Sequence, residues 1–139
     1  MMIKFSVITP EKKVYENEVF QVSIPTTTGE ITVLPGHIPM VSVLQAGEMR
    51  IKDKDGEHPY AVSAGFLEVR ANNELVILAD RAERADTIDL VRAEESRKRA
   101  EEEMKKAKAG QDVDYARLQA LIDKEMNRIR VGNKYRKLK

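Results

Sequence analysis

The chain has 139 residues, with 24 basic and 23 acidic side chains and a formal net charge of +1. That length suits one ordinary core or a small domain with an appendage, not two large domains. The balanced charge gives no overall field that would hold nucleic acid. With no cysteine there is no disulfide framework or thiolate metal site, and His37 and His58, twenty-one positions apart, are a poor basis for an imidazole metal centre. No run of eighteen apolar residues occurs, and the start MMIKFSVITPEKK lacks the apolar stretch and cleavage site of a secretory signal. The expectation is a soluble, cytosolic chain.

Apolar residues alternate at Ile3, Phe5 and Val7 and again at Phe20, Val22 and Ile24, the two-residue period of half-buried strands. Turn signals then recur at short intervals: Thr9-Pro10-Glu11, Thr28-Gly29, Pro35-Gly36, Ala46-Gly47, Asp55-Gly56 and Asn72-Asn73. Met49 and Ile51, the DKDG turn at Asp53 to Gly56, and Tyr60 and Val62 read as one hairpin, and VRANNELVIL as another. Short strands between such turns predict an antiparallel sandwich or barrel.

The composition then changes. All five prolines and five of the seven glycines lie in the first 65 residues, and residues 1–84 carry 21 charged side chains against 26 in the remaining 55. The boundary is placed between Arg84 and Thr87. Asp86 or Thr87 can cap a helix running from about Ile88 to Lys108. Gly110 can end it and Asp112 can cap a second helix, on which Leu118, Leu121, Ile122, Met126 and Ile129 share a face. On the first helix the apolar stripe is thin, mostly Ala93, Ala100, Met104 and Ala107, so the hairpin should be marginally stable with an exchangeable packing partner.

The segment ITVLPGHIPM at Ile31 to Met40, with SVITPEKKVYENEV before it and SAGFLEV after it, resembles the epsilon subunits of bacterial ATP synthases over almost the whole chain. The resemblance implies an α+β fold: an N-terminal ten-stranded β-sandwich over residues 1–84, then a C-terminal two-helix antiparallel hairpin over 85–139. It implies a rotor subunit of the central stalk that binds the gamma shaft and rests on the c-ring, with Glu30 and His37 toward those partners. Pro35-Gly36-His37 has a plainer reading as a turn that uses one restricted and one permissive residue.

Ile88-Asp89-Leu90-Val91-Arg92-Ala93 matches the I-D-x-x-R-A motif of the ATP-binding epsilon subunits, a group that includes those of thermophilic bacilli. Arg92 offers a planar donor fork to an anion, amides near Ala93 at the helix start carry partial positive charge, and Asp89 can accept from an adenine amino group. The resemblance adds Glu83, Arg99 and, from the second helix, Arg128 and Lys124. Lys124 stands where arginine is usual, which keeps the charge and loses the fork. Spacing alone also supports a structural reading, with Asp89 starting the helix and Arg92 as its i, i+3 partner. ATP is expected as a regulatory ligand, with any role of magnesium left open. No Walker sequence and no nucleophile, base and oxyanion constellation points to turnover, so a non-catalytic subunit is expected.

Two helices of about 21 and 19 residues laid end to end would span on the order of 60 Å. From Lys124 to Lys139 there are seven basic residues and one acid. The resemblance implies that this basic end, when extended, meets the catalytic beta subunits and restrains ATP hydrolysis, and that ATP favours the folded hairpin. Driving such a switch from 1:99 to 99:1 takes roughly 5.5 kcal/mol. The expected location is the cytoplasmic face of the bacterial membrane, peripheral and held there through the complex. The alternative is a nucleic-acid-binding module using the basic terminus and an OB-like domain, although no basic strand interleaved with stacking aromatics is present.

Overall fold

The computed structural model describes residues 1–108 and 114–136. Contacts divide the chain into two compact units, Met1–Arg84 and Ala85–Lys139. The first holds ten strands: β1 Ile3–Ile8, β2 Lys13–Val19, β3 Gln21–Thr26, β4 Gly29–Val33, β5 Met40–Leu44, β6 Gly47–Asp53, β7 Gly56–Val62, β8 Gly65–Arg70, β9 Glu74–Ala79 and β10 Ala82–Arg84. Hydrogen bonding follows the order β10-β7-β6-β3-β5-β8-β9-β1-β2, with β4 paired to β3. All pairings are antiparallel except β1 with β9.

Alternation fills one interior. Ile3, Phe5 and Val7 of β1, Val22 and Ile24 of β3, Met49 and Ile51 of β6, Leu67 and Val69 of β8, and Leu75 and Ile77 of β9 are buried in a single cluster. Each such side chain contributes about 1.5–3 kcal/mol on burial, so this sandwich is the stable scaffold of the chain. Both predicted hairpins form: Met49 lies opposite Tyr60 across β6 and β7, and Arg70 opposite Glu74 at the end of β8 and β9. Asn72 and Asn73 take φ of 64° and 59°, a left-handed conformation that asparagine tolerates better than most residues. Phe20 departs from the expected alternation. It sits at the bend between β2 and β3, where the buried set shifts from Val19 to Val22, and its ring is left 41% exposed.

The second unit opens with a 3-10 turn, Ala85–Thr87, followed by α1 (Leu90–Lys108) and α2 (Tyr115–Arg136). The expected cap at Asp86 or Thr87 is corrected to Asp89, whose Oδ1 accepts from the Arg92 amide at 3.0 Å. Asp86 and Thr87 are taken up by the 3-10 turn, so α1 starts two residues later than Ile88. Gly110 and Asp112 lie outside the described residues. Asp114 caps α2 through the Arg117 amide at 3.1 Å. α2 continues past Val131 through Gly132, whose missing side chain lets the start of α1 pack close: a Cβ there would lie 2.8 Å from Leu90 Cδ2.

The helices run antiparallel. Ala100 packs with Leu118 and Ile122 near one end, while Gly132 meets Leu90 and Ile88 at the other. Ala93 and Ala100 are buried as expected, and Met104 is half-buried. The side chain of Ala107 lies outside what is described. On α2 the expected apolar face is partly corrected: Met126 is 52% exposed, whereas Glu125, Arg128, Val131 and Gly132 are buried. Residues 118, 122, 125 and 132 keep the three-to-four spacing of one buried stripe, and Met126 falls beside it.

Candidate functional site

The motif residues on α1 divide into two groups. Ile88 and Ala93 are fully buried and serve packing. Asp89 and Arg92 are exposed, with Arg92 Nε 3.8 Å from Asp89 Oδ2 and the Arg92 side chain 83% accessible. The Asp89 carboxylate is therefore engaged as a cap at its own helix start. Ala93 N donates to Asp89 O at 3.0 Å, so the Arg92 and Ala93 amides are already committed to the helix. Arg99 lies seven residues beyond Arg92, two turns along the same face, and is exposed.

Which side of the hairpin this face joins is fixed by two observations. Arg117 of α2 pairs with Glu103 of α1 at 3.9 Å, and Glu103 continues the row of Arg92 and Arg99. Glu94 and Arg97 line the other side, where they enclose a groove of about 200 Å³ with Met126, Ile129 and Arg130. Arg117, Lys124 and Arg128 share the first side by the same periodicity, and Lys124 is half-buried. The antiparallel fold thus assembles Arg92, Arg99, Lys124 and Arg128 on one face of the hairpin. Four cations so placed can attract a polyanion.

Arg128 is the exception to an open arrangement. Its Nη1 donates to Glu125 Oε2 at 2.8 Å, and the two side chains are 10% and 2% exposed. Other cations near the end of α2 are also engaged locally: Arg130 donates to Asn127, and Arg136 donates to the Ile88 carbonyl. Lys134 lies over the Tyr135 ring at 5.2 Å. Lys137, Leu138 and Lys139 lie outside the described residues. Glu83 belongs to β10 in the first unit, where it is 3.7 Å from Arg81.

On the sandwich, Glu30 of β4 pairs with Arg50, which also reaches Glu57 at 3.4 Å and Glu48 at 3.8 Å. His37 follows Gly36, whose φ is +85°. Its amide donates to Leu34 O at 3.1 Å, and its Nδ1 lies 2.7 Å from Ile38 O. The Asn73 side-chain oxygen accepts from the Gly36 amide at 2.7 Å, tying this loop to the β8 and β9 turn. Leu34 and Ile38 beside it are 50% and 73% exposed. The turn reading of Pro35-Gly36-His37 matches this backbone, and His37 is half-buried rather than fully solvated.

Sequence reasoning missed three features. Val41 and Val43 of β5, Phe66 of β8 and Leu78 of β9 are 67%, 44%, 56% and 51% exposed and lie side by side, with Val43 opposite Phe66 and Phe66 opposite Leu78. A groove of about 260 Å³ runs over this face. Only the cross-strand register reveals the patch, because each residue alone reads as half of a buried alternation. The second is the Glu125 to Arg128 pair, and the third is a polar cluster in the sandwich. There the Asp53 carboxylate, 6% exposed as a residue, accepts from Tyr15 Oη at 2.8 Å and from the Asp55 amide at 2.8 Å, and lies 2.9 Å from His58 Nε2. Burial by itself would raise the Asp53 carboxyl, but these hydrogen bonds together outweigh it and hold the group below its usual range. Tyr15 is pushed up, first by burial and then by its bond to Asp53. Among the described residues, no group of three or more His, Cys, Asp or Glu is placed to hold a metal ion, and no helix is long and apolar enough to cross a membrane.

Comparison with known proteins matches residues 2–85 to the family described as ATP synthase, Delta/Epsilon chain, beta-sandwich domain, and residues 86–133 to its long alpha-helix domain. The ATP synthase epsilon chain of Desulforamulus reducens is 39% identical over 129 residues, 93% of this chain and 96% of the relative. That of Dehalococcoides mccartyi is 42% identical over 135 residues, covering 97% and 95%. In fold, a chain of the Euglena gracilis mitochondrial ATP synthase, in an assembly of OSCP, F1 and c-ring, superposes with a TM-score of 0.66 at 24% identity, over 89% of this chain and 76% of that one. With the sandwich, the helical pair and full-length relatives all in agreement, the chain belongs to the ATP synthase delta/epsilon chain family.

Proposed function

We propose that this chain is the epsilon-type subunit of the central stalk, a non-catalytic rotor component of the proton-translocating ATP synthase that joins the gamma shaft to the c-ring. The observation that carries the reading is the apolar face of Val41, Val43, Phe66 and Leu78, which stays exposed on an otherwise well-packed sandwich. A contiguous exposed apolar face of this kind marks an interaction surface, and the shaft subunit is the partner the family supplies. Exposed Leu34 and Ile38 beside His37, and the polar edge at Glu30, are the contacts assigned to the c-ring. The subunit would then sit at the cytoplasmic face of the membrane, held there through the complex.

In this reading the hairpin is regulatory. ATP bound across Arg92, Arg99, Lys124 and Arg128, with Asp89 toward the adenine amino group, favours the folded helices, and magnesium can accompany its phosphates. Extended, the basic end of α2 reaches the catalytic beta subunits and restrains hydrolysis. Nucleic-acid binding is disfavoured, because Arg128, Arg130 and Arg136 are engaged within the hairpin rather than presented as an open basic face.

The test is co-purification with the gamma subunit. Phe66→Glu should weaken binding by about 100-fold or more, as expected for a charge placed at the centre of an apolar contact. Its far-UV circular dichroism should be unchanged, since Phe66 faces solvent. A Phe66→Glu chain that binds gamma as tightly as the unaltered protein would defeat the assignment of this face.

A further inference from the structure

Asn73, in the turn between β8 and β9, joins that turn to two other parts of the sandwich. Its carbonyl oxygen accepts from the Lys4 amide of β1 at 2.8 Å, and its side-chain oxygen accepts from the Gly36 amide at 2.7 Å. Resting on the stalk reading above, in which loop 34–39 meets the c-ring, we propose that Asn73 is a positioning residue that holds this loop in its docking form through the Gly36 amide.

Loop 34–39 connects β4 to β5 and belongs to no strand. Its own turn is closed by the His37 amide on the Leu34 carbonyl, a bond that leaves the Gly36 amide to an acceptor from elsewhere. Asn73 supplies that acceptor from 37 positions along the chain. The mount is firm, because the Asn73 carbonyl is bonded to β1 and the next residue, Glu74, opens β9, which pairs with both β1 and β8. Leu34, His37 and Asn73 also line one hollow with Ile3, Val33 and Val69 of the sheet. At φ 59° a glycine would fit position 73 with least strain, so the backbone alone does not call for asparagine; the side-chain oxygen is what asparagine adds. On the loop, Leu34 and Ile38 are 50% and 73% exposed. A partner that buries them loses less entropy when the loop is already held in one form than when it must be ordered on contact.

The test uses the full chain, unaltered and as Asn73→Gly, Asn73→Asp and Ile38→Glu. Amide exchange is followed residue by residue by NMR, and the complex of each chain with gamma is titrated onto detergent-solubilised c-ring. Asn73→Gly keeps the turn and removes the acceptor, so Gly36 should exchange about tenfold faster and c-ring binding should weaken about tenfold, the worth of one neutral hydrogen bond. Asn73→Asp keeps the acceptor oxygen and should restore both. Ile38→Glu alters the loop surface itself and should weaken c-ring binding while Gly36 stays protected. Unchanged Gly36 exchange in Asn73→Gly overturns the proposal, as does faster exchange with c-ring binding intact. Weakened binding in Asn73→Gly that Asn73→Asp does not restore overturns it too, since position 73 would then act by something other than its acceptor. If Ile38→Glu binds the c-ring as the unaltered chain does, the loop is not a c-ring contact, and the reading beneath the proposal fails with it.

Discussion

Asp89 carries two roles that one substitution can separate. In the structure it caps α1, accepting from the Arg92 amide at 3.0 Å, and it lies 3.8 Å from the Arg92 guanidinium. Loss of such a cap costs about 1 kcal/mol. Loss of a negative charge at the helix start adds about 0.3–1 kcal/mol. The ion pair adds little, because the Arg92 side chain is 83% exposed and solvent screens it. Asp89→Ala should therefore destabilise the hairpin by about 1–2 kcal/mol, and Asp89→Ser, which keeps a capping oxygen, should recover most of it. Urea titration followed by ellipticity at 222 nm measures both. Only the nucleotide role predicts that Asp89→Ser, though restored in stability, still binds ATP poorly by calorimetry, because a hydroxyl cannot replace the carboxylate toward an adenine amino group. Full ATP affinity in Asp89→Ser would reduce Asp89 to a helix cap, and an Asp89→Ala chain as stable as the unaltered protein would refute the capping argument.

Two further outcomes are expected in the sandwich. Gly65→Ala should cost about 3 kcal/mol or more, since a Cβ at Gly65 would lie 2.0 Å from the Leu78 carbonyl oxygen and 2.8 Å from Ala79 Cα, backbone atoms fixed by the β8 and β9 pairing; a chemical-denaturation midpoint equal to that of the unaltered chain would contradict it. Asp53 makes the acid limb of stability testable. Its carboxyl is held below its unfolded value of about 3.9, so the Tyr15, His58 and Asp55 hydrogen bonds contribute fully above that pH and are lost as pH falls through the lower folded value. Asp53→Asn should be less stable near neutrality and should lose less stability on acidification below about pH 4, seen in denaturation midpoints across that range; an unaltered acid slope would remove Asp53 from the account.

The strands and the two helices were legible because their signals are local. Alternation at Ile3, Phe5 and Val7, the DKDG and ANN turns, and the proline-free charged second region each follow from the conformational preferences of a few neighbouring residues. Helix starts were read less well. Asp86, Thr87 and Asp89 are all acceptable caps by type, and the choice of Asp89 came from the 3-10 turn that consumes the other two. Phe20 was misread because a bend changes the parity of alternation, which no two-residue period can register.

The candidate site shows the same division. The sequence by itself determined that Arg92 and Arg99, seven residues apart, share one helical face; that they could meet a nucleotide came from the family resemblance, not from spacing. Tertiary structure decided the rest: the antiparallel register that turns Lys124 and Arg128 toward the same side of the hairpin, the cross-strand pairing that gathers Val43, Phe66 and Leu78 into an exposed patch, and the burial that makes Glu125, one charge among many in the sequence, a close partner of Arg128. Charge and spacing are properties of a few consecutive residues. Exposure and pairing across elements depend on which surfaces meet in three dimensions, and a linear pattern does not carry that.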